Sequence, residues 1–179
     1  MNGKTNLIKF QIFSTLFVII LGTILHFTYT WSKTNLLVGL FSAVNESTWE
    51  HLKLLFFPML ITTIIGYSVF KVTFPNFLCS KTIGIIIAML FTVIFFYTYT
   101  GIIGTNYAFL NILTFIASVI IGEYISYMLI INNFTFNKIL CISILIILTA
   151  LFFIFTFHPP KINLFKDPLN SYYSLKKNS

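Results

Sequence analysis

Five long apolar runs, separated by short polar stretches, organise the chain. The first extends from Phe10 to Tyr29, with Lys4 and Lys9 before it and Trp31 just beyond. About twenty apolar residues cross a bilayer core as a helix, and lysines and aromatics mark the two interfaces. The run exceeds the roughly 7–15 apolar residues of a signal peptide, and no small-x-small cleavage pattern follows it, so it is read as a retained span. The next apolar stretch, LLVGLFSAV within Asn35 to Val44, is too short to cross and is predicted to be interfacial or re-entrant.

Four further spans are predicted at about 50–70, 83–99, 107–131 and 139–157. Pro58 lies inside the second; it removes one backbone donor and frees the carbonyl of Leu54, which predicts a kink. Lys71, Pro75, Asn76 and Lys81 mark one loop, Gly101 to Asn106 a turn, and Asn132, Asn133, Asn137 and Lys138 another loop. The pattern predicts an all-α membrane protein: a bundle of about five transmembrane helices over residues 1–158, with a short interfacial or re-entrant segment. A polar tail, 159–179, follows and is able to fold over the helix ends or lie as an interfacial strap.

Composition sharpens this. Charged residues are only 8% of the 179-residue chain, against roughly 25% in soluble domains, so lipid must solvate most of the exterior. Continuous rather than alternating apolar runs exclude a β-barrel. The net charge of +7 comes from eleven lysines, no arginine and four acids. The lysines are spread over loops and tail rather than gathered on one element, which excludes a nucleic-acid-binding surface and leaves the lipid bilayer as the predicted partner. Protein partners and homo-oligomers stay open. Two lysines before the first span against one after it predict a cell-membrane protein with a cytoplasmic N-terminus and an extracytoplasmic C-terminus. Cys79 and Cys141 have no CxxC partner and are read as free thiols.

An odd number of spans brings the Trp31–Lys53 segment, the Gly101–Asn106 turn and the tail to one face. All three histidines (His26, His51, His158) and three of the four acids (Glu46, Glu50, Asp167) lie near it. The candidate ligand or partner site therefore comprises His26, Asn45, Glu46, Trp49, Glu50, His51, Lys53, His158 and Asp167. Within NESTWEHLK, a helix would put Glu46, Glu50 and Lys53 on one face and turn His51 about a hundred degrees from Glu50. Two readings of this block stand side by side. In one, Glu46 or Glu50 is an acid, base or cation ligand. In the other, Ser47-Thr48-Trp49-Glu50 is a capping box, Trp49 an interfacial anchor, and Lys53 a headgroup-reaching partner of Glu50. A cap tolerates Gln for Glu, so Glu50→Gln is expected to be mild in stability. His26, His51 and His158 are weak metal candidates, because no HExxH or other compact ligand spacing exists; no metal or other cofactor is assigned. Glu123 is the one acid inside a span, either functional or hydrogen-bonded to Ser126, Tyr127 or a neighbouring helix.

HFTY (His26 to Tyr29), the NES-x-WEH-x-K block and the tail pattern PP-x3-LF-x-DP together resemble an uncharacterised family of bacterial multi-pass membrane proteins, a domain of unknown function. The resemblance implies a helical membrane fold and no activity. It directs attention to His26, Asn45, Glu46, Trp49, Glu50, His51, Lys53, Pro160, Phe165 and Asp167. The tail here reads Ser171-Tyr172-Tyr173-Ser174, where the family favours a glycine-flanked tyrosine. Three function classes fit these residues: a protein binding a small ligand, lipid headgroup or partner at this polar face; a membrane-embedded enzyme, metal-assisted or not, using Glu50, His51 and Asp167; and a small transporter component built on Glu123 and the kink at Pro58.

Overall fold

A computed structural model of the chain describes residues 2–168 and Tyr173. Its helices are α1 (Asn2–Trp31), α2 (Leu36–Gly39), α3 (Thr48–Phe70), α4 (Phe77–Ile103), α5 (Ala108–Ile131) and α6 (Lys138–Phe157), followed by a 3-10 turn at Asn163–Phe165. Five of them are long and apolar enough to cross a membrane. Among the described residues there is no strand. The remaining tail residues, with Lys176, Lys177 and most of the Ser171–Ser174 stretch, lie outside the described residues.

The helices start and stop where the side chains dictate. Asn35 and Asn137 accept backbone N–H groups at the starts of α2 and α6, and Ser47 does so for α3. Gly104, at φ 80°, closes α4 in the left-handed conformation that suits glycine. α1 and α4 exceed their predicted spans, starting at Asn2 and Phe77. Lys4, Lys9 and Lys81 are therefore helical, not loop residues.

The core is apolar, with Val18, Leu55, Phe56, Met59, Ile85, Val119 and Phe152 packed together, but the exterior is apolar too and the interior also holds charges. Ile12, Ile20, Ile64, Val69, Ile94, Ile120 and Ile146 face outward, while Lys53, Glu50, Lys81, Glu123, Ser14 and Thr62 are buried. This fits lipid outside and satisfied polar groups within. α3 is the most enclosed span and α6 the least. α4 and α5 approach closely at Gly84 and Gly122: a Cβ on Gly84 would stand 1.9 Å from Ser126 Oγ and 2.4 Å from Gly122 O. α3 runs on through Pro58. The Leu54 carbonyl freed by that proline lies against Gly22 of α1, where a Cβ would meet it at 2.4 Å.

One expectation is corrected here and one is narrowed. Cys79 and Cys141 are not free thiols; they form a disulfide, with Cα atoms 5.3 Å apart. Each sits in the first turn of its helix, and the starts of α4 and α6 lie side by side, a proximity that a separation of 62 residues does not reveal. Of the partners expected for Glu123, neighbouring helices supply the bonds, while the Ser126 hydroxyl donates to Gly122 O. The charged partner of Glu123 is Lys81, with Nζ 2.6 and 2.5 Å from the two carboxylate oxygens. Ser14 Oγ donates to Glu123 Oε1 at 2.8 Å, and Gln11 Nε2 to the Glu123 carbonyl at 3.1 Å. This network joins α1, α4 and α5.

Candidate functional site

The polar face is assembled around the loop between α2 and α3. Asn45 Oδ1 accepts the N–H of Ser47 at 2.9 Å, and Ser47 Oγ accepts the N–H of Glu50 at 3.4 Å, so half of the capping box is formed. The other half is not. The Glu50 carboxylate turns inward and accepts the N–H of Val44 at 3.0 Å, with Lys53 Nζ 2.5 Å away. Lys53 does not reach headgroups: it is fully buried and also donates to Gly39 O and Thr156 Oγ1, each at 2.8 Å. This brace ties the end of α2, the loop and α6 to α3. Glu50→Gln is accordingly expected to be destabilising, since it would leave the Lys53 ammonium buried without its counter-charge.

Trp49 is likewise enclosed rather than spread at the interface. Its ring lies 4.7 Å from Phe152 and 4.9 Å from Phe165, whose 3-10 turn brings the tail back over the helix ends. Asp167 follows this turn, and its Oδ2 accepts the N–H of Glu46 at 3.5 Å. Pro160 and Phe165 thus lie in a segment that supports the loop from outside.

Glu46 precedes α3, so it does not share a helix face with Glu50 and Lys53. It faces the histidines. Its carboxylate oxygens lie 3.4 Å from His51 Nε2 and 3.8 Å from His26 Nε2, and the two imidazole centres are 5.2 Å apart. The hydrogen bond from His51 holds the Glu46 carboxyl below the ordinary carboxylate range, against the opposing effect of burial. His51 Nδ1 points at the Ser47 carbonyl, 2.9 Å away. A carbonyl only accepts, so Nδ1 carries a proton and Nε2 is the nitrogen turned toward Glu46. His158, at the end of α6, is exposed and does not join the trio.

His26, Glu46 and His51 line one end of a cavity of about 320 Å³ between α1, α3, α4 and α5. Phe27, Leu54, Leu55, Phe96, Phe115 and Ile116 give it apolar walls. Asn106 and Asn111 add a second polar edge: Asn111 Nδ2 donates to Asn106 Oδ1 at 2.8 Å, and the Tyr99 hydroxyl bonds Asn106 at 3.0 Å and Asn111. Asn111 and the α5 side chains of this wall were not among the candidate residues. A single Asn in the first turn of an apolar helix carries no signal that separates a cavity rim from a lipid-facing cap.

Fold and site define a multi-pass α-helical membrane protein with a polar-edged cavity among its helices. The chain belongs to the family described as Family of unknown function (DUF6512), whose model matches residues 1–175. No curated protein and no solved structure matches it.

Proposed function

We propose that this membrane protein binds a small single-chain amphiphile, its apolar part in the cavity and its polar head at His26, Glu46 and His51. The observation that carries the reading is the segregation of the cavity lining. Hydrogen-bonding groups that remain available gather at the loop end, while the Thr92 and Thr114 hydroxyls donate within the bundle, to Ala88 O or Ser118 Oγ and to Leu110 O. A volume of about 320 Å³ sits at the small end of ligand cavities, which favours one chain over a two-chain phospholipid. Glu50, committed to Lys53 and Val44, is held as a positioning residue for the loop rather than offered as a base. Glu123, neutralised by Lys81, supports structure before transport.

The disulfide supports an orientation opposite to the one that the first helix's lysines predict. Disulfides persist in oxidising compartments, and Cys79 and Cys141 lie at the bundle end that holds the N-terminus. The His26–Glu46–His51 cluster and the tail then face the cytoplasm.

Binding of a fluorescent fatty-acyl probe to detergent-purified protein tests the function. The wild type should bind saturably and Ile116→Trp, which fills the cavity from α5, should not. Equal binding by both would contradict the reading.

A further inference from the structure

We propose that His26, Glu46 and His51 form a binding site for a divalent metal ion of the zinc class, whose remaining coordination position opens into the cavity. The inference deepens the reading of this cavity as the functional site and rests on it for the role of the open position.

The donor set is the first argument. Two imidazoles and one carboxylate are a complement that zinc and its neighbours in the first transition row take, with bonds of about 2.0–2.2 Å. Tetrahedral placement at those lengths separates ligand atoms by about 3.3 Å. Glu46 Oε2 stands 3.4 Å from His51 Nε2 and Glu46 Oε1 stands 3.8 Å from His26 Nε2, and with one ligand atom taken from each residue the three lie within 4.8 Å of one another.

Orientation is the second. A metal-binding histidine commonly donates its other ring N–H to a carbonyl or carboxylate, which fixes the tautomer and aims the lone pair. The Ser47 carbonyl holds the Nδ1 proton of His51, so Nε2, which otherwise donates to Glu46, is the nitrogen that would release its proton to bind the ion. The loop is in turn fixed by its cap, by the Glu50–Lys53 brace and by Asp167 on the Glu46 N–H. Glu46 is therefore presented from a segment held at several points.

Charge is the third. Two neutral imidazoles, one carboxylate and a divalent ion sum to a single positive charge. That charge sits among the polar groups of a cavity whose walls are mostly apolar and would draw the oxygen of an amphiphile's anionic head. Three protein ligands with one position left open is also the arrangement in which a bound metal can meet an exogenous ligand.

The test uses the full chain without a polyhistidine tag, purified in mild detergent, loaded with zinc, dialysed, and assayed by elemental mass spectrometry. One zinc per chain is expected. Glu46→Gln, at a half-exposed side chain outside the helices, should weaken zinc by about 100-fold or more, beyond the range for groups that merely support ligands. His26→Ala should lose it, and His158→Ala should retain it. Cobalt in place of zinc should give the intense visible bands of a four-coordinate ion, absent in Glu46→Gln while its melting stays cooperative. A cooperatively melting wild type that holds no zinc, or Glu46→Gln and His26→Ala variants that bind it as the wild type does, would overturn the proposal. Amphiphile binding measured on the same samples separates the two claims. Probe bound without zinc removes the metal alone, and zinc bound without probe removes the cavity reading alone.

Discussion

Glu50 and Lys53, three residues apart on α3, meet at 2.5 Å in a place that excludes solvent, with 3% and 0% of their side chains exposed. The pair holds the loop that delivers Glu46 to the histidines. Removing one member of a buried pair leaves the other as an unpaired charge, which costs about 3–5 kcal/mol, whereas replacing both by apolar groups is often neutral. Glu50→Gln should therefore lower the detergent melting temperature sharply, and Glu50→Gln/Lys53→Met should recover most of the loss. A Glu50→Gln single variant that melts like the wild type would show that the negative charge of Glu50 is not needed to hold Lys53 and the loop.

The Lys81–Glu123 pair makes the same prediction deeper in the bundle. Glu123→Gln should destabilise by about 3–5 kcal/mol, and Lys81→Met/Glu123→Leu should restore stability. Thermal unfolding of the single and double variants in detergent measures the coupling. Additive losses in the double variant would contradict an ion pair that serves to join α1, α4 and α5.

These two pairs show what the sequence could carry. The five spans were readable because hydrocarbon demands long apolar runs, and odd parity brought His26, the Glu46–Lys53 block and Asp167 to one end. Helix periodicity also separated His51 from Glu50. It could not show that α3 begins at Thr48, which leaves Glu46 off the helix and free to turn toward His26. Nor could it show that Lys81 sits inside α4. A lysine beside an apolar run reads as a loop or interface residue unless its counter-charge is known, and Glu123 lies 42 residues away. The cavity was invisible for a similar reason: Phe115 and Ile116 look the same in sequence whether they face lipid or a void.

The tail contact is testable on its own. Phe165 is 4% exposed and packs on Trp49 and Phe155. In a Trp31→Phe background, Phe165→Ala should shift Trp49 emission to the red and cost about 3–5 kcal/mol, as burying an aromatic side chain implies. Unchanged emission would mean that the tail does not cover α3 in solution.

Orientation and the disulfide stand or fall together. In cells quenched with a thiol-blocking reagent, Cys79 and Cys141 should resist maleimide labelling until reductant is added, and a reporter fused after Ser174 should report the cytoplasm. Free thiols together with an extracytoplasmic tail would restore the orientation that Lys4 and Lys9 favour.

Native mass spectrometry of the chain released from lipid nanodiscs tests the central claim most directly. The wild type should carry one amphiphile adduct per chain, lost in Ile116→Trp and kept in His158→Ala. An adduct-free wild type, or an adduct that survives Ile116→Trp, would contradict a cavity built to hold such a ligand.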